Sequence, residues 1–351
     1  MRVLMLTQKI DPTDPLLAFT MGWVEALAAR VEHLHVLCLE QQPAMLPDNV
    51  TVWSMGKERG NNRQQEIRAF YRALNRVMRE VDVVFCHMIP RYALLAAPYA
   101  IAFHKPMLLW YVHRHVNAEL RFAIAACKTI ATAVPDSFPL PTNKLRVLGH
   151  GIDTTYFAPD PTCPREEPPL IIQVARLMPI KRQDCLLRSL ATDKLNGVNV
   201  ALVGDVPRGQ DRGYLDGLKA LAADLGITNR VLFTGSLQID AVRDLYRRAS
   251  VAVNLSPPGL FDKAALESML TGTPTVVSNP AFDPLLGEYT SRLHILAPED
   301  TESLAAGLAA LLESNASERQ AMTYSIRERV IAGHSLNGLM DRLVALMELS
   351  R

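Results

Sequence analysis

Short apolar runs recur along the chain, and between them apolar residues return at every third or fourth position. The runs predict buried strands and the spaced positions predict helices. In the first half, strands are expected over 3–6, 34–39, 50–53, 81–85, 107–112, 129–133 and 145–148. The helices between them are marked by Trp23, Val24, Leu27 and Ala28 and by the segments 64–79, 94–102 and 118–125. Residues 8–19, with Pro12 and Pro15, read as a loop. The second half repeats the rhythm, with strands over 170–174, 198–203, 231–234 and 275–277 and a further one closed by Val251, Val253 and Leu255. Its helices fall over 184–191, 214–225, 239–248 and 301–313, and 293–296 is a short apolar segment. Ser335 is placed to cap a last helix, with Leu336, Leu339, Met340, Leu343 and Met347 on one stripe.

Strands alternating with helices imply a parallel sheet covered on both faces. The fold class expected is therefore α/β, with two doubly wound, Rossmann-like domains facing across a cleft and ligands at the carboxyl ends of the strands. The stretch APDPTCPREEPP, 158–169, is proline-rich, charged and aperiodic, so residues 159–169 read as a linker. The expected domains are 1–158 and 170–334, with the helix 335–351 packing back on the first.

A chain of 351 residues suits two domains of ordinary size. A hydrophobic content of 49% with 21% charged residues is that of a soluble globular protein. The net charge of +1 gives no general reason to expect nucleic acid. Five cysteines without a C-x-x-C pair argue against a disulfide framework or a zinc site and for a reducing, cytoplasmic compartment. The first residues form a core strand rather than a signal peptide. The run 93–103 is too short to span a membrane and contains Pro98.

The most informative stretch is 254–278, NLSPPGLFDKAALESMLTGTPTVVS. Ser256-Pro257-Pro258-Gly259 breaks a strand, Asp262 is placed to cap the helix 263–271, and Gly272 and Pro274 end it. A helix starting at the carboxyl end of a strand turns its free N–H groups towards a phosphate. Arg176 follows the strand 170–174, with Lys181 five residues on, a fork and a point charge suited to a diphosphate. Gly204-Asp205 and Gly235-Ser236 put small residues at two more strand ends. Glu267 suits a pair of vicinal hydroxyls, although glutamate is also a good helix former.

These segments together resemble the retaining family 4 glycosyltransferases of GT-B fold. The residues that carry the resemblance are GHGIDTTYF (149–157), VARLMPIKRQDCLL (174–187), LVGD (202–205), VLFTGSL (231–237) and LFDKAALESMLTGTPTVVS (260–278). More loosely, VLMLT, VDVVFCHM (81–88) and KPMLLWYVHRH (105–115) extend it into the first half. The resemblance implies that Arg176 and Lys181 grip the donor diphosphate and that Glu267, the second acid of an E-x7-E motif, holds the ribose. It implies that Gly235, Ser236 and Leu237 lie beside the base. Backbone amides of Gly259, Leu260, Phe261, Asp262 and Lys263 would meet the distal phosphate and sugar, and His113 would face that sugar. The first acid of the motif is Gly259 here, so Asp262 is either its stand-in or simply a helix cap.

The activity this implies is transfer of a hexose from a nucleotide-diphosphate sugar, a UDP- or GDP-sugar, to an acceptor the sequence does not name. No D-x-D pattern occurs, so no metal and no other cofactor is expected. A relative that binds nucleotide or a partner without catalysis, or a nucleotide-sugar epimerase, are the alternatives. Finally, Arg68, Arg72, Arg76 and Arg79 line one face of the helix 64–79, with Ile67, Phe70, Tyr71, Leu74, Val77 and Met78 on the other. Such a helix either lies on an anionic membrane as a peripheral contact or packs its apolar face on the sheet.

Overall fold

The computed structural model describes every residue except Pro15, Leu16, Arg114, Arg208, Gln210 and Asp211; the loop residue Pro15 thus lies outside the described residues. The chain divides into two units, one of Met1–Asp153 with Gly333–Arg351 and one of Thr154–Ala332.

The first unit holds seven parallel strands: β1 (Arg2–Ile10), β2 (His33–Gln41), β3 (Val50–Ser54), β4 (Val83–His87), β5 (Met107–Trp110), β6 (Thr129–Thr132) and β7 (Leu145–Val147). Their order is β3-β2-β1-β4-β5-β6-β7. Alternation along β1 sends Val3 and Met5 into one core and Leu4 and Leu6 into the other, so both faces need cover. The first face takes the helix Phe19–Ala28 and the final helix Leu336–Ser350, through Trp23, Leu27, Leu339, Met340, Leu343 and Met347. Ser335 caps that last helix by accepting from the backbone N–H of Gly338.

The opposite face takes the helix Arg63–Val77, which Asn62 and Gln65 open with a capping box. Its Phe70, Leu74 and Val77 and the adjoining Met78 are buried in the unit's own core, so the apolar side is spent on the sheet. The arginines face solvent, with Arg76 lying 5.5 Å from the centre of the Trp53 ring and Arg79 5.8 Å from that of Phe103.

The second unit has five parallel strands: β8 (Leu170–Val174), β9 (Asn199–Val203), β10 (Val231–Gly235), β11 (Val251–Asn254) and β12 (Thr275–Val277). Their order, β10-β9-β8-β11-β12, reverses direction at β8, which makes the carboxyl ends of β8 and β11 the switch point where such sheets bind ligands.

Two expectations are corrected. Residues 159–169 are not a free linker but are strapped to the second unit. Arg165 donates to the carbonyls of Ala249 and Gly272, Glu166 pairs with Arg248, and Arg247 holds the carbonyl of Ala158. The first unit also stops short of 158, because Tyr156 donates to Asp240 in the second. The short apolar segment 293–296 contributes a single bridge, His294 to Val277. The helix Ala316–His334 was not expected at all. Its apolar positions are diluted by charge, and the chain passes through it from the second unit back to Gly333 in the first.

Gly149, in the GHGIDTTYF segment, has φ +79°, and a Cβ there would overlap the carbonyl oxygen of Gly333. Gly149→Ala is therefore expected to cost about 2–5 kcal/mol. Urea unfolding of the full chain checks it, and a loss below about 0.5 kcal/mol would show that the contact relaxes freely.

Candidate functional site

The turn after β8 carries the two predicted cations, and it is built by buried amides. Gln173, at 2% exposure, donates from Nε2 to the carbonyl of Lys181 at 2.6 Å. Gln183 donates to the carbonyl of Arg176 at 3.0 Å and accepts from the Tyr214 hydroxyl at 3.1 Å. Arg182 adopts φ +54°, a left-handed conformation uncommon for a branched-free charged residue and a mark of a turn held by its surroundings. The result is that Arg176 is exposed, with no side-chain hydrogen bond or ion pair among the described residues, while Lys181 is only 7% exposed.

A buried ammonium requires a partner. Lys181 Nζ donates to both carboxylate oxygens of Asp262, at 2.8 and 2.6 Å, and to Ser256 Oγ at 3.0 Å. Asn254 Nδ2 at 3.1 Å and Ser256 Oγ also donate to Asp262. Asp262 does stand at the cap position of the helix Lys263–Leu270, but its side chain makes no capping bond. The expected N-cap is corrected: the carboxylate is turned to Lys181, whose buried charge is the stronger partner.

Gly259, Leu260, Phe261 and Asp262 form the half-buried loop before that helix. Gly259 has φ +86°. The Leu260 carbonyl accepts from Asn279 Nδ2 at 3.0 Å, and the Phe261 ring stacks on Phe282 with centroids 4.0 Å apart. One turn into the helix, Lys263 and Glu267 are spaced four apart and act on each other electrostatically. Desolvation raises the Glu267 carboxyl to about 6, with Lys263 opposing the rise. Desolvation lowers the Lys263 ammonium, with Glu267 opposing that shift.

The neighbouring strand ends close on the same turn. The Leu177 N–H donates to the carbonyl of Asp205 at 3.0 Å, and the Gly204 N–H donates to that of Gly235 at 2.9 Å. Gly204 has φ +136°, and a Cβ there would overlap the carbonyl oxygen of Ala175, so this approach of β8 and β9 admits only glycine. Beyond β10, Ser236 and Leu237 are exposed. His113 follows β5 in the first unit, exposed, with the Tyr111 ring edge-on at 5.5 Å.

The structure thus gathers Arg176, Lys181, Gly204, Asp205, Gly235 and Asp262 around the carboxyl ends of β8 to β11. It adds residues that the sequence reading passed over: Gln173, Gln183, Asn254 and Ser256. A signal for the first was present, since a glutamine inside the apolar run LIIQV needs a buried partner.

Asp262→Asn leaves the Lys181 charge with neutral partners only. It is expected to lower stability by about 2–3 kcal/mol, read from denaturant midpoints. An unchanged midpoint would mean that solvent already compensates Lys181.

Residues 159–329 match the family described as glycosyl transferases group 1. A GDP-mannose-dependent alpha-(1-6)-phosphatidylinositol monomannoside mannosyltransferase of Mycobacterium tuberculosis is 27% identical over 192 residues, covering 49% of this chain and 48% of the relative. A D-inositol 3-phosphate glycosyltransferase of Acidothermus cellulolyticus is 30% identical over 163 residues, covering 43% of this chain and 36% of the relative. The chain therefore spans about half or less of the curated relatives it matches. Among solved structures, Anabaena HepE in complex with UDP and glucose aligns over 99% of both chains, with a TM-score of 0.71 and 16% identity. The sucrose-phosphate synthase of Thermosynechococcus elongatus aligns over 99% of both, with a TM-score of 0.74 and 16% identity. At such identity these structures speak to the fold. The match to the glycosyl transferases group 1 family thus falls on nearly all of the second unit.

Proposed function

We propose that this protein is a retaining, metal-independent glycosyltransferase that moves a hexose from a UDP- or GDP-sugar to an acceptor. The observation that carries this reading is that Arg176, without a side-chain partner among the described residues, and a buried, pre-positioned Lys181 share the switch point of the second sheet. Departure of a nucleoside diphosphate leaves positive charge at the sugar carbon and builds negative charge on phosphate oxygens. In this proposal Arg176 takes those oxygens in a fork, and Lys181 and the N-terminus of the helix Lys263–Leu270 supply the remaining field. Charge already fixed in place need not reorganise as the bond breaks.

Glu267 accepts from the ribose hydroxyls, and the loop at Gly235–Leu237 borders the base. Asp262 works as a positioning residue for Lys181 rather than as a replacement for the acid absent at Gly259. The relatives supply the two candidate donors: the mycobacterial relative is named for GDP-mannose, and HepE was solved with UDP. Contact with an anionic membrane through Arg68, Arg72, Arg76 and Arg79 would be electrostatic only, because the helix's apolar face is buried. Binding to anionic vesicles should then vanish in salt well above the physiological range, and co-sedimentation indifferent to salt or lipid charge removes the idea. A second reading, a nucleotide binder without catalysis, rests on Gly259 alone.

Incubation with UDP-, GDP- and ADP-sugars separates the two readings. Transfer or slow hydrolysis should release one nucleoside diphosphate, and binding without release favours the silent relative. Arg176→Gln should weaken nucleotide affinity about tenfold or more, and unchanged affinity refutes the site.

Glu267 adds a pH signature. Its folded-state value is raised above the ordinary 4.5 to about 6. The stability it contributes is therefore present below the ordinary value and lost as pH rises through about 6. Ribose hydroxyls donate to the ionised form, so nucleotide affinity should rise with pH up to about 6 and level off above it. Glu267→Gln should remove that component and leave only the titration of the nucleotide's own phosphate; identical profiles would place Glu267 away from the ribose.

A further inference from the structure

At the other end of the second sheet, before β11 and β12 begin, lies a cavity of about 540 Å³ that the proposed reaction does not use. Its wall carries four arginines, Arg165, Arg247, Arg319 and Arg327, against one carboxylate, Asp160. Asp160 is already engaged by the N–H and hydroxyl of Thr162, at 2.9 and 2.6 Å.

The arginines are anchored through neutral backbone carbonyls. Arg165 donates to Ala249 and Gly272, Arg247 to Ala158, Arg319 to Ser314 and Arg327 to Leu270. Such bonds satisfy geometry without cancelling charge. Arg247 and Arg327 have acids at 3.6 Å, Asp244 and Glu328, whose side chains are half exposed. Arg165 and Arg319 have no acidic partner among the described residues, and Arg319 Nε is buried without any hydrogen-bond partner. Desolvation, and after it the like charge of Arg319, hold the Arg165 guanidinium below its ordinary value. The helix Ala316–His334 also begins here, with Asn315 accepting from the Glu318 N–H at 2.8 Å, so its positive end adds to the field.

Guanidinium groups confined together with fewer acids than cations raise the free energy of the empty site, and an anion relieves it. Several forks converging on one space suit the three or more oxygens of a phosphoryl group better than the two of a carboxylate. A volume of about 540 Å³ lies in the range of small-molecule sites, roughly 300–1,000 Å³, and exceeds what a lone ion fills. Gln320, Thr323 and Tyr324 add neutral polar groups along the wall for an organic portion. We propose that this arginine-lined cavity binds a small phosphorylated molecule, a phosphomonoester or diphosphate, at a site separate from that of the nucleotide sugar. The proposal does not depend on the glycosyltransferase reading.

Calorimetric titration of the full chain with inorganic diphosphate tests it, because that probe serves both sites and the variants separate them. In Arg176→Gln, binding at the arginine cavity should persist and should weaken steeply with added salt. In Arg319→Gln/Arg327→Gln that component should weaken at least about tenfold, while the unligated thermal midpoint stays level or rises as repulsion is relieved. Arg319→Lys, which keeps the charge, should retain part of the affinity and so distinguishes loss of charge from loss of fold. The proposal is overturned if Arg176→Gln abolishes all diphosphate binding, if the double variant binds as the parent does, or if Arg319→Lys, folded, binds no better than the double variant. Loss of nucleoside diphosphate release without loss of this binding would count against the catalytic reading only.

Discussion

Lys181 is held out of water with its charge, and the arrangement at the carboxyl end of β8 follows from that. An ammonium at 7% exposure is tolerable only with an ion pair and further hydrogen bonds around it. Asp262 supplies the pair, and Ser256 and Asn254 tie Asp262 in turn. The turn after β8 is thereby fixed to the end of β11 and the start of the helix Lys263–Leu270, 75 and 81 residues further along the chain. Gln173 and Gln183 fasten the backbone of the turn from below. A cation so constrained is a prearranged charge, which is what stabilising a departing diphosphate demands.

The same pair bears on Gly259, which stands where the family that the sequence resembles has an acid. Asp262 is close in sequence and carries the right group, yet its carboxylate is committed to Lys181. The loop is steadied instead by Asn279 on the Leu260 carbonyl and by Phe261 stacked on Phe282. Glycine at 259, with φ +86°, fits the bend of the backbone. In the proposed reaction the chemistry of this segment then falls to backbone, to Lys181 and to Glu267.

The two ends of the second sheet treat positive charge in opposite ways. At the carboxyl end the buried Lys181 is paired with Asp262, and the exposed Arg176 has no side-chain partner among the described residues. At the amino end several arginines are bound to carbonyls and left without enough acid. Both arrangements suit an anion, the first through a prepared fork and the second through unrelieved repulsion.

Much of this was legible in the chain itself. The continuous apolar run of β1 and the strand–helix rhythm force doubly covered parallel sheets, because a strand apolar on both faces must be buried on both. The proline-broken turn and the position of Arg176 and Lys181 at a strand end are likewise local facts, as is the cap at Ser335. Which partner Asp262 takes was not local. A cap and an ion pair are both open to an aspartate before a helix, and only the tertiary approach of Lys181, 81 residues away in sequence, decides between them. The strap at 159–169 looked free because its prolines and charges lack periodicity, whereas its anchors are carbonyls and arginines supplied by the packed second unit. The arginine cavity is the extreme case. Its four cations are scattered over 165–327, each unremarkable in its own segment, and only folding brings their charges together faster than it brings acids to meet them. Sequence determined the elements and the local chemistry; the tertiary structure decided the pairing of charges, because electrostatic energy depends on distance in space and not along the chain.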